Sequence, residues 1–184
     1  GIASRGLGDV YKRQQPSSKY RGYLALIEEF KPTQATLVPD DTNQLTSDHG
    51  WDISELNGEN FTSSIINNCD RCSVFVNAGT DLSSLNNKNI NAIEIYTGPY
   101  AVAHKSGNKE LLDIELKKII FTAESAREAG LRVNAGHDLD LSNIPLLRER
   151  DLIDEVSIGH AIISESLDKG FKSTIRQYIK TING

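Results

Sequence analysis

Five short β-rich runs, separated by stretches of helical periodicity, constrain the fold of this chain more than any other feature. The runs are Ala35–Val38, Ser73–Val76, Ala92–Tyr96, Arg132–Ala135 and Glu155–Ile158. Most of them are nearly continuous apolar runs with β-branched residues, a pattern typical of strands that are covered on both faces. Because parallel strands that alternate with helices are joined by right-handed crossovers, the sequence predicts an α/β fold with a parallel sheet.

Three stretches outside these runs have the residue spacing of amphipathic helices. They are Ser17–Phe30, Asn108–Ala129 and Ala161–Ile179. The second has one apolar stripe and is followed by Gly130, a residue type that often ends helices. The apolar positions of the third are Ile162, Leu167, Phe171 and Ile175. We expect a continuous helix over each stretch.

Polar or glycine residues follow four of the five runs. Thr97-Gly98, Gly136-His137 and Gly159-His160 come directly at strand ends, and Thr46 follows after a turn. The C-terminal strand ends of a barrel converge on one site, whereas an open sheet concentrates its ligands at one switch point. We therefore expect a TIM (β/α) barrel. Since a complete barrel has eight strands and about 250 residues, we expect an incomplete one, with the last five βα units present.

Residues 1–14 (GIASRGLGDVYKRQ) differ from the rest of the chain, because they have neither helical nor strand periodicity. A flexible N-terminal arm is one interpretation, and such arms are common. The other is a non-native lead-in joined to a truncated gene. We favour the second interpretation, since the missing strands should lie before residue 15. Residues 15–184 are then expected to be the C-terminal portion of a (β/α)8 barrel.

The composition limits the classes of partner. Hydrophobic residues make up 38% of the 184 residues, the formal net charge is −5, and the basic residues are scattered. These values are those of an ordinary folded protein without the basic surface that nucleic-acid binding requires. No apolar run has the length of a membrane span, and no signal-peptide pattern opens the chain. We expect a cytoplasmic protein with no nucleic-acid or membrane partner.

Cys69 and Cys72 have Cys-x-x-Cys spacing. Redox pairs usually place the first cysteine at a helix N-terminus, whereas Cys69 closes an expected helix and Cys72 enters a strand. A zinc site would need a second pair of ligands at similar spacing, and the sequence has none. We expect two small hydrophobic residues at the edge of the core and no metal site.

Two consecutive βα units have strands that end in glycine and histidine. Histidine is a residue type suited to proton transfer at neutral pH, so His137 could act as a general acid or base at a barrel mouth. Gly159 and His160 directly precede a helix, whose N-terminal N–H groups would form an anion site of the kind found after the last barrel strands. A single histidine at a strand end is more often structural, but the repeated motif favours a functional interpretation.

Glu94 is the one carboxylate in an otherwise apolar strand. A carboxylate inside a barrel strand is costly unless it is paired or used in function. An ion pair with a neighbouring strand is the structural alternative. Thr46 and Ser47 lie in a polar loop and could donate to a phosphate, although Ser47 or Asp48 could equally cap a helix. His104 lies in a polar stretch and is expected to be solvated.

Five segments of the chain together resemble the pyridoxine 5′-phosphate synthase family. The resemblance extends over roughly residues 16–180 and keeps the family's order and spacing. The segments are Thr36–Asp40, Leu45–Asp52, Glu94–Gly98, Val133–Leu139 and Ser157–Ile163. The resemblance implies a TIM-barrel transferase of vitamin B6 biosynthesis. The family condenses 1-deoxy-D-xylulose 5-phosphate with 3-amino-2-oxopropyl phosphate to give pyridoxine 5′-phosphate, phosphate and water, and it requires no metal or organic cofactor.

The resemblance also implies roles for individual residues. His137 matches the proton donor, and Glu94 matches the carboxylate that stabilises charge during ring closure. Thr46 matches a position that contacts deoxyxylulose phosphate. The positions that hold the aminoketone phosphate are matched by Asp138, Gly159 and His160. Some relatives have glycine at position 138, so Asp138 is expected to contact the phosphate only through its backbone.

Three family motifs have no counterpart in the sequence. They are an Asn-x-Asp-His element in the first strand, an arginine- and histidine-rich loop after the second, and a general-base glutamate in the third. By spacing, this glutamate should fall near Arg13, inside the anomalous lead-in. We therefore expect an N-terminally truncated chain that is inactive alone. Family members form homo-oligomers, and the full-length protein is expected to do so too.

Two alternatives remain at the level of the sequence. The first is another phosphate-binding TIM-barrel isomerase or lyase; an aldolase would need a Schiff-base lysine in a strand, and the five runs contain none. The second is a non-catalytic half-barrel that binds phosphate.

Overall fold

The computed structural model describes residues 11–12, 23–40, 46–58 and 61–184. Its strands are β1 (Tyr11–Lys12), β2 (Gln34–Leu37), β3 (Pro39–Asp40), β4 (Arg71–Asn77), β5 (Ala92–Tyr96), β6 (Arg132–Gly136) and β7 (Glu155–Ser157). Five of them form one sheet in the order β2-β4-β5-β6-β7, and every pair in it is parallel. All five predicted strands are thus confirmed, as is the α/β class.

The helices of the described residues lie between and after these strands. They are α1 (Tyr23–Phe30), α2 (Ile53–Gly58), α3 (Phe61–Ile66), α4 (Gly98–Ser106), α5 (Lys109–Glu128), α6 (Ile144–Arg148), α7 (His160–Lys169) and α8 (Phe171–Asn183). Helix α5 begins where the sequence predicted, because the Asn108 side chain accepts a hydrogen bond from the Leu111 N–H at 3.1 Å. It ends before Gly130, which has a φ of +76°.

Successive residues of each strand point alternately to an apolar face and to a polar face of the sheet. Every second residue of the sheet belongs to the hydrophobic core under the helices, as Val74, Ile93 and Val133 show. The opposite face carries the other residues in register, including Glu94 beside Asn134 on the neighbouring strand. Both faces are nonetheless covered, because Ser73 and Glu94 on the polar face are buried like Val74 and Ile95 on the apolar face. The expectation of strands covered on both faces is therefore confirmed for β4, β5 and β6.

Side chains on the polar face show that the sheet is curled. The Arg71 guanidinium on β4 donates to Glu155 on β7 at 2.8 Å and to Gln34 on β2 at 2.7 Å. Asn134 on β6 also reaches Gln34, at 3.4 Å. Neighbouring strands lie about 4.8 Å apart, so side chains from strands three steps apart meet only if this face is concave. The sheet is a curled half-barrel with a polar interior.

The single helix predicted over Ala161–Ile179 is wrong. Gly170 has a φ of +78° and separates α7 from α8. Two residues of the predicted apolar stripe are exposed, Leu167 by 85% and Phe171 by 61%. The buried residues of α8 are Thr174 and Tyr178, whereas Ile175 of the predicted stripe is only partly buried.

Part of the N-terminal region falls outside the described residues. This applies to residues 1–10 and 13–22, and so to most of the anomalous segment and the first part of the predicted helix Ser17–Phe30. Tyr11–Lys12 forms the two-residue strand β1, which pairs in parallel with β3. The expectation that residues 1–14 are a non-native lead-in stays a prediction.

Both cysteines are buried and free, as expected. Burial raises the pKa of the Cys69 thiol, and it raises the pKa of Cys72 to about 12. Within the residues that the structure describes, no helix has the length and apolar character of a membrane span.

Candidate active site

The carboxyl end of β6 is fixed to the end of β5 by Thr97. The Thr97 N–H donates to the Gly136 carbonyl at 2.9 Å. The Thr97 hydroxyl lies 2.8 Å from the same carbonyl and 2.6 Å from that of His137, and can donate to either. Since Thr97 is fully buried, these bonds set the path of the chain where the strand opens into the candidate site.

His137 leaves the strand with a φ of +96°, a value that non-glycine residues seldom adopt. Its Nε2 lies 3.1 Å from the Thr46 Oγ1, so the structure brings together two predicted site residues that are 91 positions apart. The Tyr96 ring lies edge-on to the imidazole, at 5.0 Å between ring centroids and an interplanar angle of 85°. The imidazole is therefore held between a hydroxyl and an aromatic ring.

Glu94, on β5, lies against Gly136, the residue before this histidine. It is only 7% exposed. A β-carbon added to Gly136 would stand 3.0 Å from the Glu94 Cδ and would overlap its Oε1. The absence of a side chain at Gly136 is what allows the buried carboxyl to approach the strand end next to His137. The two predicted catalytic residues thus lie at the same end of the curled sheet.

Asp138 continues the turn with a φ of +56°. Its Oδ2 lies 2.9 Å from the His137 Nδ1. Its carbonyl oxygen accepts a hydrogen bond from the Asn143 side chain at 3.1 Å. Both ends of this short segment are therefore held in place.

An open cleft of about 490 Å³ adjoins this turn. It is lined on one side by Asp138 and Asp140, and on the other by His160 at the first position of α7. The same cleft is lined by His104 and Lys105, from the last turn of α4. His104 was expected to be merely solvated. The sequence contained a signal for this position in the cleft: His104 lies about two turns along a helix that begins at the end of a strand.

Comparisons with known proteins identify the family of the chain. The family model described as "Pyridoxal phosphate biosynthesis protein PdxJ" matches residues 17–184. The chain belongs to this family.

Several curated members of the PdxJ family are about 40% identical to the chain. The pyridoxine 5′-phosphate synthase of Chelativorans sp. (strain BNC1) is 41% identical over 85% of the chain and 65% of its own length. That of Cytophaga hutchinsonii is 40% identical, over 87% and 67% respectively. That of Xylella fastidiosa is 41% identical, over 92% and 65%. The chain spans about two thirds of the length of these relatives.

The candidate site carries several acidic groups. Burial raises the pKa of the Tyr96 hydroxyl, and the carboxylates of Asp138 and Asp48 add to this effect. The Asp140 carboxylate is occupied within its own turn, where it accepts from the Ser142 N–H at 2.8 Å and the Asn143 N–H at 3.0 Å. A phosphate in the cleft would therefore depend on the cationic side chains and on backbone N–H groups for its charge balance.

The predicted site residues form two groups. Thr46, His137 and Glu94 gather at the ends of β5 and β6, as the distances above show. Asp138 and His160 line the cleft beside them. Gly159 directly precedes α7, and a β-carbon placed there would meet no atom within 4 Å. Among the described residues, no group of three or more histidine, cysteine, aspartate or glutamate side chains could hold a metal ion.

Proposed function

We propose that this chain carries the active-site chemistry of a pyridoxine 5′-phosphate synthase. The reaction is the condensation of 1-deoxy-D-xylulose 5-phosphate with 3-amino-2-oxopropyl phosphate, which releases phosphate and water. The observation that carries the proposal is the grouping of Thr46, His137 and Glu94 around one strand end in a chain of the PdxJ family. The relatives named above are pyridoxine 5′-phosphate synthases.

In this proposal His137 is the proton donor. A departing hydroxyl or phosphate group leaves more easily when its oxygen gains a proton. An imidazolium within reach of that oxygen can donate the proton and so lowers the barrier to departure. Thr46, whose hydroxyl faces the Nε2 of His137, contacts the deoxyxylulose phosphate. Since the two side chains lie 3.1 Å apart, a substrate bound at Thr46 is within reach of the acid.

Glu94 stabilises positive charge during ring closure. A carboxylate that is 7% exposed acts in a medium of low dielectric constant, where its attraction for a cationic amine or iminium is stronger than in water. Its position next to Gly136, one residue before His137, supports this role. No metal or organic cofactor is part of the proposal.

The aminoketone phosphate occupies the cleft beside Asp138. Gly159 and His160 hold it at the N-terminus of α7, where unpaired N–H groups and the helix dipole favour an anion. Asp138 contributes through its backbone. We place the five strands as the last five of a TIM barrel, and we propose that the full-length protein is cytoplasmic and homo-oligomeric.

The proposal is tested by protecting histidines from acylation with diethylpyrocarbonate, read out by mass spectrometry of peptides. The sequence has four histidines, so each can be followed separately. Saturation with 3-amino-2-oxopropyl phosphate should slow modification of His137 and His160 about tenfold. His49, which is half exposed and contacts Asp48, is the internal control and should react at an unchanged rate. Equal rates at His137 and His160 with and without the ligand would refute the proposed site.

A further inference from the structure

The side chain of Asp138 has no role in the proposed phosphate contact, since a carboxylate beside a phosphate would repel it. The structure directs this carboxylate elsewhere. Asp138 Oδ2 lies 2.9 Å from Nδ1 of His137, and the other ring nitrogen, Nε2, lies 3.1 Å from the Thr46 hydroxyl. Both nitrogens of the candidate acid are therefore engaged, each by a different kind of group.

The two partners of His137 impose different requirements. An ionised carboxylate only accepts hydrogen bonds, so Nδ1 must carry a proton to satisfy Asp138. A hydroxyl can either donate or accept, so Thr46 tolerates Nε2 with or without a proton. The proton on Nδ1 is consequently the fixed one, and the proton on Nε2 is the exchangeable one.

We propose that Asp138 is a positioning residue that holds the Nδ1 proton of His137 and makes Nε2 the atom that gives up the proton. In the acid form both nitrogens are protonated. When the proton moves from Nε2 to the oxygen of the departing group, a neutral imidazole remains with its proton on Nδ1. Asp138 stabilises both forms, because it accepts the same Nδ1–H bond before and after the transfer.

The backbone holds this pair in its geometry. His137 and Asp138 have φ values of +96° and +56°, conformations in which an aspartate is tolerated better than most residues. The Thr97 hydroxyl contacts the His137 carbonyl, and the Asn143 side chain donates to the Asp138 carbonyl. The carboxylate therefore needs no rearrangement to reach the ring.

The catalytic meaning of this inference rests on the proposed function, but the position of the proton does not. It can be measured by nitrogen-15 NMR of the histidine side chains, which distinguishes the two neutral tautomers. A His137→Gln variant assigns the signals among the four histidines. We expect neutral His137 to carry its proton on Nδ1, the minor tautomer of free histidine.

Two substitutions of the carboxylate separate charge from hydrogen bonding. Asp138→Gly suits the left-handed backbone and removes the acceptor, so the tautomer ratio should shift about tenfold or more towards Nε2–H, as expected for the loss of a hydrogen bond to a charged group. Asp138→Asn keeps an acceptor oxygen and should restore part of the Nδ1–H form. The matched control is Asp151→Gly, at an exposed position with a φ of +50°, which should leave the His137 signals unchanged.

An Nε2–H tautomer in the wild type, or an unchanged ratio in Asp138→Gly, would overturn the inference. Either result would leave the proposed function intact, because substrate protection of His137 is measured independently of the tautomer. Conversely, a failure of protection would leave the tautomer result standing.

Discussion

Replacing Gly136 by alanine tests whether the buried carboxylate of Glu94 depends on an empty position at the end of β6. The new methyl group would stand 3.0 Å from the Glu94 Cδ and 3.0 Å from the Ser157 Cβ, and it would overlap the Glu94 Oε1. Favourable contacts between carbon atoms lie at about 3.5–4.0 Å. The Glu94 side chain must therefore move, or the two strands must separate.

The expected cost is that of overpacking, about 1–3 kcal/mol in the free energy of unfolding. The backbone of Gly136 adds nothing to this cost, because its φ lies outside the left-handed region. Gly107→Ala provides the contrast. Its β-carbon would meet no atom within 4 Å, but its φ is +69°, so it should cost about 1 kcal/mol through backbone strain alone.

Denaturant unfolding of four proteins gives the measurement: wild type, Gly136→Ala, Glu94→Ala and the double variant. If the clash with Glu94 dominates, Gly136→Ala should cost about 1 kcal/mol less in the Glu94→Ala background, which lies within the range of about 0.5–3 kcal/mol by which residues in contact are coupled. The Gly107→Ala substitution should cost the same in both backgrounds. Additive effects of Gly136→Ala and Glu94→Ala would refute the placement of the carboxylate against Gly136.

Three further predictions concern the fold. Gly50→Ala should destabilise the protein by about 3 kcal/mol or more in denaturant unfolding, because its β-carbon would overlap the main chain of Val76; a loss below 1 kcal/mol would contradict this contact. The pKa of Glu165 is lowered, chiefly by the hydrogen bond that Lys169 donates to its carboxylate. The folded state should therefore lose stability as pH falls below the usual glutamate range, and Glu165→Gln should flatten this part of the pH profile. Burial raises the pKa of Cys72 to about 12, so its thiol should react with a disulfide reagent only at the rate of unfolding, and rapid labelling of the native protein would exclude that burial.

The sequence predicted the positions of the strands and the cover on both faces of the central ones. In β4, Arg71 and Ser73 alternate with Cys72 and Val74, so the polar face was present in the sequence. A continuous run of strand-forming residues does not distinguish two apolar faces from one apolar face and one polar interior, so the polar character of the inner face did not follow from the run itself.

The break between α7 and α8 could not be derived from periodicity. A glycine inside a helical pattern costs only about 1 kcal/mol and is often tolerated. Whether Gly170 ends a helix depends on a left-handed conformation that tertiary packing stabilises. The apolar residues Leu167 and Phe171 fitted a helical stripe, yet both are exposed.

The candidate site was predictable in part from local sequence. The motifs that end in His137 and His160 were identified from their repetition at strand ends, and the structure places both near Asp138. Thr46 and His137 are 91 positions apart, so the family resemblance assigned both to one site, but their direct contact was not predicted. The side-chain contact of Asp138 with His137 was missed, because its direction depends on a backbone turn.

Calorimetric titration with 3-amino-2-oxopropyl phosphate tests the central claim most directly. The account predicts saturable binding at one site per chain. His160→Ala should weaken it about tenfold or more, the range expected for a hydrogen bond to a charged group. His49→Ala, a histidine outside the proposed site, should bind as tightly as the wild type. Equal affinity in His160→Ala and the wild type, or no saturable binding by the wild type, would contradict the account.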